Sequence, residues 1–199
     1  MLDKGFHDVP PGAIATVVTH LEMREKPDLR PVSAPDGISL NFVTSPSTDW
    51  YRDLYTRVGG HDWLWFSRLA MSESELSAIL TDPKVEVYAI ELDGHAEGLL
   101  ELDFRQDTEC ELAFFGLTTR MIGRGLGRFM MNAAIDHAWR KPITRFHVHT
   151  CTLDHPSALG FYQRSGFTPI RQQIEIADDP RLAGLIPRDA GSHIPIIES

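Results

Sequence analysis

The sequence has few cysteines, few basic residues and no long apolar run. Only Cys110 and Cys151 occur among its 199 residues, which excludes a disulfide framework and a repeated metal-ligand pair of cysteines. Lysine and arginine number 19 against 28 acidic residues, a formal net charge of -9, so the chain lacks the basic surface that nucleic-acid binders use against phosphates. No stretch reaches the roughly 18 to 20 apolar residues of a membrane helix. We therefore expect no nucleic-acid or membrane partner, and the acidic balance suits a cationic or amine substrate.

The first residues bear on the cellular location, and the length of the chain bears on the number of domains. Met1 to Gly5 carry no basic region followed by an apolar run, which a secretory signal contains. We therefore expect a cytoplasmic location. The small number of cysteines is consistent with such a reducing compartment. A chain of 199 residues suits one domain with extensions better than two domains.

Hydrophobic periodicity predicts a mixed α/β order of strands and helices. An Asp93-Gly94 pair between two strand-like runs indicates a hairpin, and three successive runs predict an antiparallel meander. Gly59-Gly60 is expected to end the first helix. The predicted strands are Ala15 to Leu21, Ile38 to Val43, Val85 to Leu92, Ala96 to Phe104, Glu109 to Leu117, Arg145 to Cys151 and Ile170 to Ile176, and the predicted helices are Thr48 to Val58, Ser72 to Leu80, Leu126 to Ala138 and Pro156 to Ser165.

A glycine-rich turn, Ile122 to Gly127, joins the third meander strand to the helix that follows it. Unpaired N–H groups in the first turn of a helix, together with the helix dipole, favour an anion at such a junction. Arg124 and Arg128 add positive charge that suits phosphates. No Gly-Lys-Ser/Thr follows, as a P-loop requires, and the glycines are spaced two apart, unlike a dinucleotide fingerprint. Taken alone, the turn fits either phosphate binding or an ordinary tight turn.

At this junction the sequence resembles the GNAT superfamily of acetyl-CoA-dependent N-acetyltransferases, whose signature is Gln/Arg-x-x-Gly-x-Gly/Ala. Gly125 and Gly127 supply both signature glycines, and the Gln/Arg position falls on Ile122, which departs from the pattern. A second register, two residues earlier, places Arg120 at the Gln/Arg position. We prefer the first register because it puts Phe129 at an apolar helix position that the family has.

A second segment is similar to the family's Asn-x-x-Ala-x-x-x-Tyr-x-x-x-Gly-Phe helix. It lies downstream of the first motif, with a suitable helix and strand between them, so it supports the resemblance independently. Its matching residues are Ala158, Tyr162, Gly166 and Phe167, with His155 at the asparagine position.

The resemblance implies an α/β (α+β) fold with a mixed, mostly antiparallel sheet, helices on both faces and a splayed central pair of strands. It covers residues 37–177, which we expect to form the GNAT acetyltransferase domain. An N-terminal arm with one strand, residues 1–36, and a C-terminal tail, residues 178–199, flank this domain. The strand of the arm and the tail are candidates for the interface of a homodimer.

The resemblance also implies an activity, the transfer of the acetyl group of acetyl-CoA to a primary amine by direct attack in a ternary complex. A small molecule is the acceptor that we expect. One alternative is a lysine or the N-terminus of a protein. The other is a non-catalytic acyl-CoA-binding sensor module, which the isoleucine at Ile122 makes conceivable.

In such a fold, acetyl-CoA would lie as co-substrate in the gap between the third meander strand and the strand from Arg145. The N–H of Leu117 would polarise the thioester carbonyl, an oxyanion-type role. No metal is expected, because this chemistry needs none. The cofactor-binding residues that the resemblance implies are Phe115, Leu117, Ile122, Gly123, Arg124, Gly125, Leu126, Gly127, Arg128, His155, Ala158 and Tyr162.

Direct attack needs a neutral amine, so a group in the site must accept a proton. Glu111 occupies the strand position where some family members carry a catalytic glutamate, and it is our candidate base. Glu101 and Asp103 on the neighbouring strand are competitors. Tyr162 matches the family's general-acid tyrosine, which would protonate the departing thiolate, and its ring would contact the cofactor if it had no acid role.

Two further groups of residues are candidates for a functional role. His147, His149 and Cys151 alternate along one strand, and such spacing spreads ligands along a sheet instead of bringing them together around a metal. We expect them to line or pack in the cleft, where His149 or His155 could assist proton transfer. A second group, near the family's acceptor pocket, would shape that pocket or pack in the core; it comprises Trp63, Trp65 and Phe66.

Overall fold

The computed structural model describes residues 3–198, so the ends of the predicted arm and tail, residues 1–2 and 199, lie outside the described part. The strands are β1 (Ala13–Met23), β2 (Ile38–Phe42), β3 (Val85–Leu92), β4 (His95–Asp103), β5 (Glu109–Leu117), β6 (Arg145–Cys151) and β7 (Thr168–Asp178). The helices are α1 (Thr48–Tyr55), α2 (His61–Trp63), α3 (Glu73–Leu80), α4 (Leu126–Ala138) and α5 (Ala158–Arg164).

All seven strands form one sheet in the order β2-β3-β4-β5-β6-β1-β7. Every neighbouring pair is antiparallel except β5 and β6, which run parallel. These two pair only at their beginnings, through Glu109–Arg145, Cys110–Phe146 and Glu111–His147, and then separate. The predicted mixed, mostly antiparallel sheet with a splayed central pair is confirmed.

A β-bulge in β5 accompanies this separation. Glu101 lies opposite Phe114 and Leu102 lies opposite Leu112, so Ala113 is an extra residue on β5. A bulge bends its strand and exchanges the faces on which the following side chains lie. Phe115 consequently packs in the same core as Leu112, while Phe114 packs in the core on the other face.

Helices cover both faces of the sheet. On one face, α4 and α5 bury Met130, Ala134 and Tyr162 against the sheet. On the other, α1 and α3 bury Leu54 and Leu76. A capping box at Ser72, whose side chain and N–H pair with Glu75, starts α3, as expected for this Ser-x-x-Glu pattern. None of the helices in residues 3–198 is long and apolar enough to cross a bilayer.

The expected end of the first helix at Gly59-Gly60 is wrong. The chain continues from α1 through a π-helical turn, Thr56–Gly60, into α2 and leaves the helix at Leu64, whose φ is 53°. The reason is packing: a Cβ at Gly59 would overlap the indole ring of Trp65. Glycine is therefore needed here for a close approach of the ring and not for a helix stop.

The strand of the predicted arm belongs to the sheet, and the tail packs beside it. The strand of the arm, β1, is inserted between β6 and β7 and pairs antiparallel with both. Residues 179–198 form turns without a helix or strand. The buried Arg181 guanidinium holds this tail by donating hydrogen bonds to the carbonyls of Ala190 and Ile194.

The close approach at Gly59 generates a prediction about stability. Gly59→Ala should lower the free energy of unfolding by about 1–3 kcal/mol, because the added methyl group overpacks against Trp65. Gly60→Ala is the matched control in the same turn, since its Cβ would come no closer than 3.3 Å to the Thr56 side chain and 3.6 Å to the Trp65 carbonyl oxygen; it should change stability by less than about 1 kcal/mol. Urea denaturation measures both, and equal effects would contradict this role of Gly59.

Candidate functional site

A cavity of about 520 Å³ opens where β5 and β6 separate. Its walls come from the glycine-rich turn, α5, the segment after α2 and the rim of β7. Arg124, which is exposed, is not part of the lining. The other residues predicted to bind the cofactor all line the cavity: Phe115, Leu117, Ile122, Gly123, Gly125, Leu126, Gly127, Arg128, His155, Ala158 and Tyr162.

The glycine-rich turn presents the N-terminus of α4 to this cavity. Gly125 is the N-cap residue and has a φ of 77°, in the left-handed region, and no side chain caps the helix. The N–H groups of Leu126 and Gly127 make no hydrogen bond to any residue within 3–198. Unpaired donors on a helix of thirteen residues favour a bound anion.

Arg128 provides positive charge beside these donors. Its guanidinium lies 5.5 Å from the centroid of the Phe161 ring and donates a hydrogen bond of 3.3 Å to the Ser165 hydroxyl. This stacking holds the side chain along α5, at the wall of the cavity. Ile122 also lines the wall but has no polar side-chain atom, so charge at the turn comes from Arg128 and from Arg124 outside the lining.

Tyr162 lies in α5 and is buried at the cavity wall. Its ring contacts Phe115 and Phe167 edge to face, with centroids 6.3 and 6.0 Å apart. Its hydroxyl makes no hydrogen bond to a residue in the described part of the chain. Burial, and to a lesser degree the charge of Asp154, raise the pKa of Tyr162 far above its ordinary value. The hydroxyl is protonated at physiological pH, as it is at the ordinary pKa of tyrosine, and can donate a hydrogen bond.

Glu111 and His149 form a carboxylate–imidazole pair across the gap. Glu111 Oε1 lies 3.4 Å from His149 Nδ1. His149 lines the cavity, whereas Glu111 lies behind it and does not. Hydrogen bonding to His149 lowers the pKa of Glu111, and hydrogen bonding to Glu111 raises the pKa of His149. The imidazole is thus the member of the pair that reaches the cavity.

The two competing carboxylates have other partners. Glu101 is fully buried, forms an ion pair of 2.5 Å with Arg68 and accepts a hydrogen bond from the Tyr51 hydroxyl. The guanidinium of Arg105 binds Asp103 at 2.6 Å. Neither carboxylate lines the cavity, so neither is in reach of a molecule bound there.

Trp65 both walls the cavity and packs in the core. It lines the cavity together with Trp63 and Phe66, and its ring also contacts Tyr55 and Phe114 at 5.4 and 5.3 Å. Trp65 therefore shapes the cavity and also packs in the core, the two roles that the sequence left open for these aromatic residues. Trp63 lies against His155, with ring centroids 5.1 Å apart.

Sequence reasoning missed two acidic residues of the cavity, Asp154 and Glu175. Asp154 accepts hydrogen bonds from the Trp65 indole at 3.0 Å, the Thr150 hydroxyl at 2.7 Å and the Cys151 N–H at 2.9 Å. An aspartate between a strand and a helix is a turn signal that could have drawn attention to it. No sequence signal places Glu175 here, because its position follows from the pairing of β7 with β1.

The two histidines of β6 have different surroundings. His147 lies 3.6 Å from Glu109 and outside the lining, whereas His149 and Cys151 line the cavity. No group of three or more His, Cys, Asp or Glu side chains between residues 3 and 198 has an arrangement that could hold a metal ion. The cavity thus combines the unpaired N–H groups at the start of α4, a phenol hydroxyl and an imidazole.

A family model described as the acetyltransferase (GNAT) family matches residues 47–167, more than half of the chain. The chain belongs to the GNAT family. No curated protein matches it. The match includes the glycine-rich turn and Tyr162, and it ends at Phe167, the last residue of the second motif.

Solved structures of GNAT proteins share the fold. A GCN5-related N-acetyltransferase from Sphaerobacter thermophilus has a TM-score of 0.59 and 13% identity, over 90% of this chain and 54% of its own. One from Kribbella flavida has a TM-score of 0.54 and 19% identity, over 87% of this chain and 63% of its own. This chain therefore spans less than two thirds of either relative.

A third solved structure contains acetyl-CoA. It is a GNAT family acetyltransferase from Elizabethkingia anophelis with acetyl-CoA bound, with a TM-score of 0.50 and 18% identity, over 69% of this chain and 80% of its own. The confirmed resemblance thus concerns the family and the fold. The acceptor is not identified by any of these comparisons.

The carboxylate–imidazole pair generates a prediction about ionisation. Glu111→Gln should lower the pKa of His149, because the carboxylate that stabilises the imidazolium is lost while burial still opposes the charge. Glu109→Gln is the matched control, since Glu109 contacts Arg145 and His147 instead. NMR titration of the His149 ring protons measures the change. An unaltered pKa in Glu111→Gln, or an equal shift in the control, would contradict the pairing.

Proposed function

We propose that this GNAT protein transfers the acetyl group of acetyl-CoA to a primary amine of a small molecule by direct attack in a ternary complex. The observation that carries the proposal is one continuous cavity that joins the unpaired N–H groups of α4 to the Tyr162 hydroxyl and the His149 ring. An anion site for phosphates, a proton donor and a proton acceptor are the three elements that this reaction needs.

Cofactor binding is assigned to the glycine-rich turn and the gap. The N–H groups of Leu126 and Gly127, with the charge of Arg128, would hold the phosphates. Residues 115–117 of β5, beyond the point where β6 leaves it, would bind the pantetheine arm through backbone groups. Because Ile122 replaces Gln/Arg, phosphate binding here would depend more on backbone donors than in a standard member. Acetyl-CoA supplies the activated acyl group.

His149 and Glu111 divide the role of the base between them. Glu111 was the expected base, yet only the imidazole of the pair lines the cavity. We assign proton acceptance to His149 Nε2, with Glu111 holding Nδ1–H, so that the amine proton moves to the ring when nitrogen attacks the acyl carbon. The proton of the Tyr162 hydroxyl passes to the departing sulfur.

The lining supports a compact amine acceptor. Trp63 and Trp65 line the cavity, and the carboxylates of Asp154 and Glu175 lie in the same lining as the guanidinium groups of Arg128 and Arg164. Aromatic faces and carboxylates both favour a cation before it loses its proton. A protein lysine would need an open groove instead of this wall. The remaining alternative, a sensor that binds acyl-CoA without turnover, would use the Tyr162 ring for contact but would not need its hydroxyl as a proton donor.

Substitution of the tyrosine tests the proposal. Tyr162→Phe should lower turnover at least about 100-fold, because the thiolate then leaves without a proton donor, while acetyl-CoA binding stays nearly unchanged since the ring is kept. Thiol release with acetyl-CoA across a panel of amines, polyamines, amino acids and aminoglycosides measures turnover, and calorimetry measures binding.

The matched control is Tyr88→Phe, which removes a hydroxyl bonded to Glu86 outside the cavity and should leave turnover unchanged. Undiminished turnover in Tyr162→Phe would remove the acid role. If the protein binds acetyl-CoA but releases no CoA thiol with any amine or with a lysine peptide as acceptor, the sensor is favoured.

A further inference from the structure

Strand β7 is an open edge of the sheet. It is eleven residues long, ends the strand order, and every residue except Ala177 is exposed. Proteins normally protect an edge with short strands, lysines, prolines or bulges, because its unpaired N–H and C=O groups accept another strand. The opposite edge, β2, has only five residues. On β7, Pro169 and a bulge at Ile170 occur at the start, so residues 171–178 remain able to pair.

The two faces of β7 differ in chemistry. Arg171, Gln173 and Glu175 lie on the face of the cavity, opposite His20, Val18 and Thr16 of β1. The other face carries apolar side chains that are about half exposed, at 52% for Ile174 and 54% for Ile176. Exposed isoleucines in a row beside unpaired backbone groups are typical of a surface that binds another strand.

The sequence of β7 is complementary to itself. We propose that two copies of this chain pair antiparallel through β7, about a two-fold axis at Gln173. In this register Arg171 lies opposite Glu175 of the partner subunit, and the symmetry repeats the pair. Opposite charges directly across two strands stabilise the pairing.

Neighbouring two-fold registers lack this complementarity. An axis at Gln172 sets Arg171 opposite Gln173 of the partner subunit, and an axis at Ile174 sets it opposite Ala177 of the partner subunit. An axis at Glu175 sets two glutamates opposite each other, which is repulsive. The charges therefore select the axis at Gln173.

Both charged groups are available for the pairing. The contact of Arg171 within the chain is to His20, at 3.4 Å, and Glu175 forms no ion pair with any residue of the described part. Glu175 also lines the cavity, so pairing brings Arg171 of the partner subunit to the rim of the site. The proposal concerns assembly and stands independently of the acetyl transfer.

Charge reversal tests the pairing. Sedimentation velocity of the full chain should give a dimer. Arg171→Glu and Glu175→Arg should each raise the dimer dissociation constant at least about tenfold, which corresponds to about 1.4 kcal/mol, because like charges then oppose each other. The double variant restores opposite charges and should restore the dimer. Asp36→Arg, an exposed charge reversal beside β2 at the far edge, is the matched control and should leave the mass unchanged.

Circular dichroism of each variant checks that it folds. A monomeric wild-type chain at about 100 μM, far above the dissociation constants of stable dimers, would overturn the proposal. A dimer that neither single variant weakens, or that the double variant fails to restore, would also overturn it.

Engineered cysteines test the register itself. Gln173→Cys places two thiols across the axis, where opposite Cα atoms are about 4.5–5.5 Å apart, and mild oxidation should link them. Gln172→Cys is the control, because its two copies would be about 8 Å apart, beyond the reach of a disulfide. The unsubstituted chain gives the background from Cys110 and Cys151. Linkage of Gln172→Cys but not of Gln173→Cys would contradict the axis.

Discussion

The separation of β5 from β6 is the constraint on which the rest of the site depends. Two parallel neighbours that pair through only three residue pairs leave the later backbone groups of β5 without a partner on that side. Backbone groups in a protein interior need partners, so a gap of this kind must hold water or a bound molecule. The bulge at Ala113 bends β5 where the pairing stops, and it also turns Phe115 toward α5.

The residues around the gap keep it open and supply the polar groups that line it. Trp65 can pack close to the π-helical turn only because Gly59 has no side chain. From there its indole N–H reaches Asp154 in the loop after β6, which braces the two sides of the cavity. Burial between the sheet and α5 raises the pKa of the Tyr162 hydroxyl, which stays a proton donor. The same fold that separates the strands thus brings a proton donor, an imidazole and a helix N-terminus to one space.

The bounds of β3, β5, β6 and α4 were predictable from the sequence, because each has a strong period and clear turn residues at its ends. The glycine-rich turn and the Tyr162 helix were also predictable, since each combines local chemistry with a motif. Features that depend on distant pairing were not. Glu175 reaches the cavity through strand pairing between β7 and β1, and Gly59 serves a ring six residues later in the chain.

For the base, the sequence named carboxylates as candidates and gave His149 or His155 only an assisting role. It could not show that Glu101 is neutralised by Arg68 in the core, nor that Glu111 reaches the cavity through His149. These are matters of burial and side-chain direction, which a single sequence does not specify. The departure at Ile122, in contrast, was visible in the sequence, and the structure adds that unpaired N–H groups lie beside it.

The central claim is that the N-terminus of α4 holds the phosphates of acetyl-CoA, and calorimetric titration with acetyl-CoA tests it most directly. Gly125→Glu adds a negative charge and a side chain at a φ of 77° beside this anion site, whereas Gly184→Glu makes the same change at a φ of 73° in the tail. The account predicts that binding is lost in Gly125→Glu and retained in Gly184→Glu. Retained binding in a folded Gly125→Glu protein would contradict it.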